Sequence, residues 1–205
     1  MRVRDCVAAA MLAIIAHGTA LAGGPPGPLK DWPCPVPFAD RLTPEATWPA
    51  PLPGALPDVE AWKADPQAKA IVEFVTSTEN SPRMGAAYID DFAKANGPIR
   101  PALAMLVLTG IVEQSNKIRD ILIEGIHGDV VRSHILAGAV QQNDEHLAQA
   151  SADPAAQPDA IRKARLMNLR SLDNVGDGAE MLCHRYSYDE TKAKALATAL
   201  QQRTE

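Results

Sequence analysis

The sequence predicts an all-α protein, a helical bundle of about five to six helices with a proline-rich extended N-terminal arm packed on it. Three observations predict this class. Strand alternation is nearly absent, apolar residues recur at three- and four-residue steps after Asp65, and 11 of the 17 prolines fall between residues 24 and 58.

The first element is a leader. Arg2 and Arg4 precede an unbroken apolar run from Val7 to Ala16, and Ala20-Leu21-Ala22 places small residues where a signal peptidase reads. The run is too short to span a bilayer, which takes roughly 20 apolar residues. Residues 1–22 are therefore expected to be an export signal cleaved near Ala22, carrying Cys6 away and leaving the chain in the periplasm or secreted. No stable membrane insertion is expected afterwards, because Thr109 and Gly110 interrupt the best later apolar stretch, Leu103 to Val112.

Loss of Arg2, Arg4 and Asp5 takes the 20 basic and 25 acidic residues to 18 and 24, a net charge of −6. That balance argues against nucleic acid and anionic lipid as partners, since both require a basic face. Two cysteines remain, Cys34 and Cys183, and an even pair in an oxidising space is expected to form a disulfide. The bond would tie the arm to the carboxy-terminal helices.

The arm is assigned to residues 23–64. Proline fixes φ and has no amide hydrogen to donate, so this stretch is expected to be neither helix nor central strand. Composition alone would suggest a disordered linker. Trp32, Phe38, Leu42 and Trp48, spaced along it with Cys34, instead suggest an extended strap adhering to a packed surface.

Residues 65–205 form the expected helical domain. Asp65-Pro66 and Ser81-Pro82 each join a capping side chain to a proline at the first helical position, starting helices over about 66–78 and 82–95. Asn96-Gly97-Pro98 ends the second. Leu103, Val107, Ile111, Ile118, Ile121 and Leu122 then mark a long amphipathic helix, with Glu113, Asn116, Lys117, Asp120 and Glu124 on its solvated side and Glu113 placed to pair with Lys117.

Gly125 and Gly128 are expected to bracket a turn, after which Asp129 caps a further helix to about Ala148 with Val131, Ile135, Leu136 and Val140 inward. Residues 151–158 read as a loop. The next helix is expected over 159–185, on a stripe that includes Ile161, Leu166, Leu172, Val175 and Leu182. Ser187 and Glu190 form a capping box for a short last one.

Chemistry-bearing motifs are sparse. Glu124-x-x-His127 has the spacing of a di-iron ligand pair but occurs once, where such sites need it twice. A mononuclear metal site from Glu124, His127 and His134 is the alternative it leaves, beside the plainer reading of His127 as a side chain near a helix end. Asp173 to Gly178 resembles half a calcium loop, with Val175 and His184 where ligands belong. Cys183-His184 lacks the first cysteine of a haem-attachment motif. No cofactor is expected beyond that possible metal ion, and neither a nucleophile elbow nor a phosphate loop points to an enzyme. Two functions compete: a non-enzymatic interaction or accessory protein docking on another exported protein, and a metal- or small-ligand-binding bundle using His127, His134 and Glu124.

Overall fold

The computed structural model describes residues 31–150 and 158–204. The expected leader, residues 23–30 at the head of the arm and the loop over 151–157 lie outside the described residues. Five α-helices follow in order: α1 (Pro44–Thr47), α2 (Pro66–Thr76), α3 (Pro82–Asn96), α4 (Pro101–Ala150) and α5 (Pro158–Gln201), with a 3-10 turn at Ala61–Lys63. Among the described residues the only strand-like pairing is a bridge between Ile99 and Thr204. The all-α expectation holds.

Local chemistry explains the early boundaries. The Asp65 side chain accepts from the amides of Gln67 and Ala68, and the Ser81 side chain accepts from Met84. Gly97, at φ 84°, stops α3 in a conformation that a side chain would oppose. The arm departs from its expectation at two points: the 3-10 turn at Ala61–Lys63, and α1, whose single turn Thr43 caps with Pro44 at the first helical position.

Two expected breaks are absent. Gly125 and Gly128 lie inside the 50 residues of α4, and α5 continues through Gly176, Gly178 and Ser187 for 44 residues. A helical glycine is about 1 kcal/mol worse than alanine, a small loss beside the burial that runs through both helices. A Cβ on Gly125 would lie 3.1 Å from Leu182 Cδ1, so this glycine admits the opposite helix rather than reversing the chain. The capping box at Ser187 and Glu190 is likewise unused: Ser187 offers its carbonyl to Thr191 within the helix.

Helices α4 and α5 form one antiparallel pair. Positions facing α5 fall at Leu108, Val112, Ser115, Arg119, Leu122, Ile126, Asp129, Ser133, Leu136 and Val140, an unbroken alternation of three- and four-residue steps. Helices α2 and α3 and the arm wrap only the base of this pair. There, Leu42, Trp48 and Trp62 of the arm join Ile71, Val72, Ile89, Leu108, Ile111, Leu196 and Leu200 in the larger core. A smaller core higher up unites Cys34 and Cys183 with Leu122, Ile123, Ile126 and Tyr186, against Trp32 and Phe38.

Beyond that second core only the head of the arm accompanies the pair, with Pro33 and Pro35 beside Val130 and Asp31 4.0 Å from His134. None of residues 127–150 and 158–174 is buried. Past Asp31, sixteen residues of α4 (135–150) and seventeen of α5 (158–174) project about 25 Å at 1.5 Å each. Val131, Ile135 and Leu166, expected inward, are exposed instead, as is Ile121 at 71 %. Asn116 and Glu113, expected in solvent, face the arm.

Candidate functional site

Between the two cores sits a layer of buried polar groups. Arg119 on α4 is wholly buried, and its guanidinium lies over the Tyr186 ring at 4.0 Å. Its Nη2 donates to the Ala39 carbonyl at 2.7 Å and to the Tyr186 hydroxyl. That hydroxyl donates to Ala39 O at 2.6 Å and accepts from Ala39 N at 2.9 Å. One turn back on α4, Asn116 accepts from Leu42 N at 2.8 Å and donates to Leu42 O at 3.0 Å. The prolines of the arm leave it fewer amides to pair, and these side chains take up two of them, at Ala39 and Leu42.

Charges on α5 complete the layer. Glu190 Oε2 lies 3.7 Å from Arg119 Nη1, and Lys192 donates to the carbonyls of Ser77 and Asn80 at 2.7 Å each, tying down the link between α2 and α3. Asp189 is buried with its Oδ2 making no hydrogen bond. Burial raises its carboxyl to about 6, against the pull of Arg119 and Lys192. Burial also lowers the Lys192 ammonium from 10.5, although Asp189 opposes this. Nearer the base, burial would raise Glu113, yet hydrogen bonds from Lys117 and Trp62 hold it below its ordinary value. The expected pair of Glu113 with Lys117 closes at 2.6 Å.

The residues singled out in the sequence divide sharply. Cys34 and Cys183 are joined, with Cα atoms 5.2 Å apart across 149 positions of sequence. Glu124, His127 and His134 are not brought together. The expected turn would have folded His134 back toward Glu124, but the continuous helix sets them about 15 Å apart along its axis, far beyond the reach of one ion. All three are exposed, and His134 Nε2 stands 4.0 Å from Asp31. Among the described residues no group of three or more His, Cys, Asp or Glu is placed to hold a metal. Asp173 to Gly178 is regular helix, so it does not wrap around a cation.

What the arrangement offers is surface. Where the arm crosses the helix pair beside the disulfide, Pro33, Pro35, Val130, Val175 and Gly176 line an open, mostly apolar groove of about 300 Å³. Past it the projecting helices expose Ile135 at 66 %, Leu166 at 49 % and Met167 at 58 %, and Met181 is exposed beside the groove. No helix among the described residues is long and apolar enough to cross a membrane.

Sequence reading missed Arg119, Tyr186, Asp189 and Lys192 as a cluster. The signal was present in the spacing, since Arg119 and Asp189 stand at positions where the three-four alternation calls for apolar residues. Fold and site together define a class, an all-α protein with an arm bonded across a long helical hairpin. Comparison with protein families, with curated proteins and with solved structures gives no match.

Proposed function

We propose that this chain is an exported, non-enzymatic interaction or accessory protein whose projecting hairpin is its docking surface. One observation carries the reading: α4 and α5 extend about 25 Å beyond the arm and the smaller core, with large apolar side chains on the outside. Exposed apolar surface of that kind, rimmed by charge, marks association sites. The base supports it mechanically, because the disulfide and the Arg119 layer fix the arm across both helices just below the point where they leave the core.

Export is part of the same proposal. The disulfide fits an oxidising compartment, and the leader expected over residues 1–22 would deliver the chain there. Cell fractionation with mass measurement should find a periplasmic species beginning near Gly23. Full-length protein confined to the cytoplasm would contradict export.

Site-specific photo-crosslinking tests the docking surface. A crosslinker at Ile135 or Met167 should give discrete products in cells, while one at Phe74, exposed on the base, should give none. Absence of products from every hairpin position would remove the reading. The metal-binding alternative would return if the purified protein carried stoichiometric metal that His127→Ala abolished.

A further inference from the structure

We propose that the outward face of α5 between Arg162 and Met181 is a self-association surface, occupied by a second copy of this chain lying antiparallel to the first. The inference rests on the hairpin as docking surface and names its partner.

Spacing supplies the first argument. Residues 163, 167, 170, 174, 177 and 181 repeat at alternating four- and three-residue steps on the side of α5 turned away from α4, and every one is exposed. These positions, Lys163, Met167, Arg170, Asn174, Asp177 and Met181, form one continuous exposed stripe along which a second helix can lie. Leu166, Met167 and Met181 supply large apolar groups along it.

Charge identifies the occupant. Arg162, Lys163 and Arg170 lie on the first half of the face, and Asp173, Asp177 and Glu180 on the second. Arg162 is engaged with Asp159 at 2.8 Å and Glu180 lies 3.8 Å from His184, whereas Lys163, Arg170, Asp173 and Asp177 have no ion-pair partner among the described residues. Asp173 and Asp177 stand four residues apart, where like charges destabilise an isolated helix. The two halves are each other's complement. A two-fold axis at the level of Ser171 and Leu172 would set Lys163 and Arg170 of one copy opposite the acidic half of the other, and the reverse.

Size sets the strength. A contact of about 30 Å along one helix buries on the order of 1,000 Å² in total, at the low end for a specific interface. A contact of that size built on charge pairs is expected to be weak and sensitive to salt.

Sedimentation equilibrium of the purified, oxidised protein tests this, from about 5 to about 200 µM protein in about 50 mM and about 500 mM salt. The expected result is a reversible dimer in low salt that weakens at least about tenfold in high salt. Lys163→Glu with Arg170→Glu should abolish it, as should Asp173→Lys with Asp177→Lys, and mixing the two variants should restore a dimer. These side chains are exposed and unpaired, so circular dichroism should show both variants folded. A monomer at every concentration, or dimerisation indifferent to both charge reversals, would overturn the proposal. In either case, hairpin crosslinks to a different protein would leave the docking role standing.

Discussion

Removing a guanidinium from water carries a penalty of several kcal/mol, and Arg119 offsets it with the Ala39 carbonyl, the Tyr186 hydroxyl, the face of the Tyr186 ring and the nearby charge of Glu190. Its loss leaves buried Asp189 with only the weaker pull of Lys192 and Arg185. Arg119→Ala should therefore lower the unfolding free energy by about 3 to 5 kcal/mol, and Tyr186→Phe by about 1 to 3, in urea titrations at neutral pH. The reverse order would mean that the hydroxyl, not the cation, organises the layer. Asp189 adds a pH dependence of unusual sign. Its carboxyl keeps a proton to about 6 when folded and to 3.8 when unfolded, so between those values the folded state binds more protons and stability rises as pH falls. Glu113, held low, acts oppositely at lower pH. Asp189→Asn should remove the rise between pH 6 and pH 4, read from urea midpoints of both proteins across that range; an unchanged pH profile would show the carboxyl to be solvated.

At the scale of elements, what could be read in advance was local and what could not was cooperative. The starts of α2 and α3 and the end of α3 were legible because a cap, a proline and a left-handed glycine each act over one turn. The continuity of α4 was not, because Gly125 and Gly128 carry a strong local signal for a turn while the repeat through Leu122, Ile126, Asp129 and Ser133 includes polar residues and so hides its own regularity. Two glycines test the outcome. An added Cβ at Gly128 would meet nothing within 4 Å, so Gly128→Ala should stabilise by about 0.5 to 1 kcal/mol, as expected for the interior of an exposed helix. A destabilised variant would indicate a turn there. At Gly110 the added atom would stand 2.6 Å from Val72 and 3.0 Å from the Trp62 ring, and Gly110→Ala should cost about 1 to 3 kcal/mol in thermal or urea unfolding.

At the scale of the molecule, the arm and the hairpin are one mechanical unit. The partnership of Cys34 with Cys183 was legible because, with Cys6 assigned to the expected leader, two cysteines leave one pairing. The polar clamp around Ala39 was not, since Asn116, Arg119 and Tyr186 meet the arm across 74 to 147 positions of sequence. The structure also divides the arm. Leu42, Trp48 and Trp62 are buried in the larger core and Asn116 holds Leu42, while Trp32 to Phe38 depend on the smaller core and the disulfide. Cys183→Ser should therefore lower the thermal midpoint and open the arm to proteases around residues 31–40, leaving the segment after Leu42 resistant. The chain-entropy argument for a loop of 149 residues sets a ceiling of about 5 kcal/mol on the loss.

The projecting hairpin requires α4 to run without interruption past its paired glycines, and a distance across that point decides the matter. Spin labels at Ile121 and Gln142, both exposed, are separated by about 32 Å along a continuous helix. A pulsed electron-resonance distance near that value is expected, with a narrow distribution. A distance below about 20 Å would mean that the chain doubles back over 125–128, and the hairpin with everything assigned to its surface would go with it.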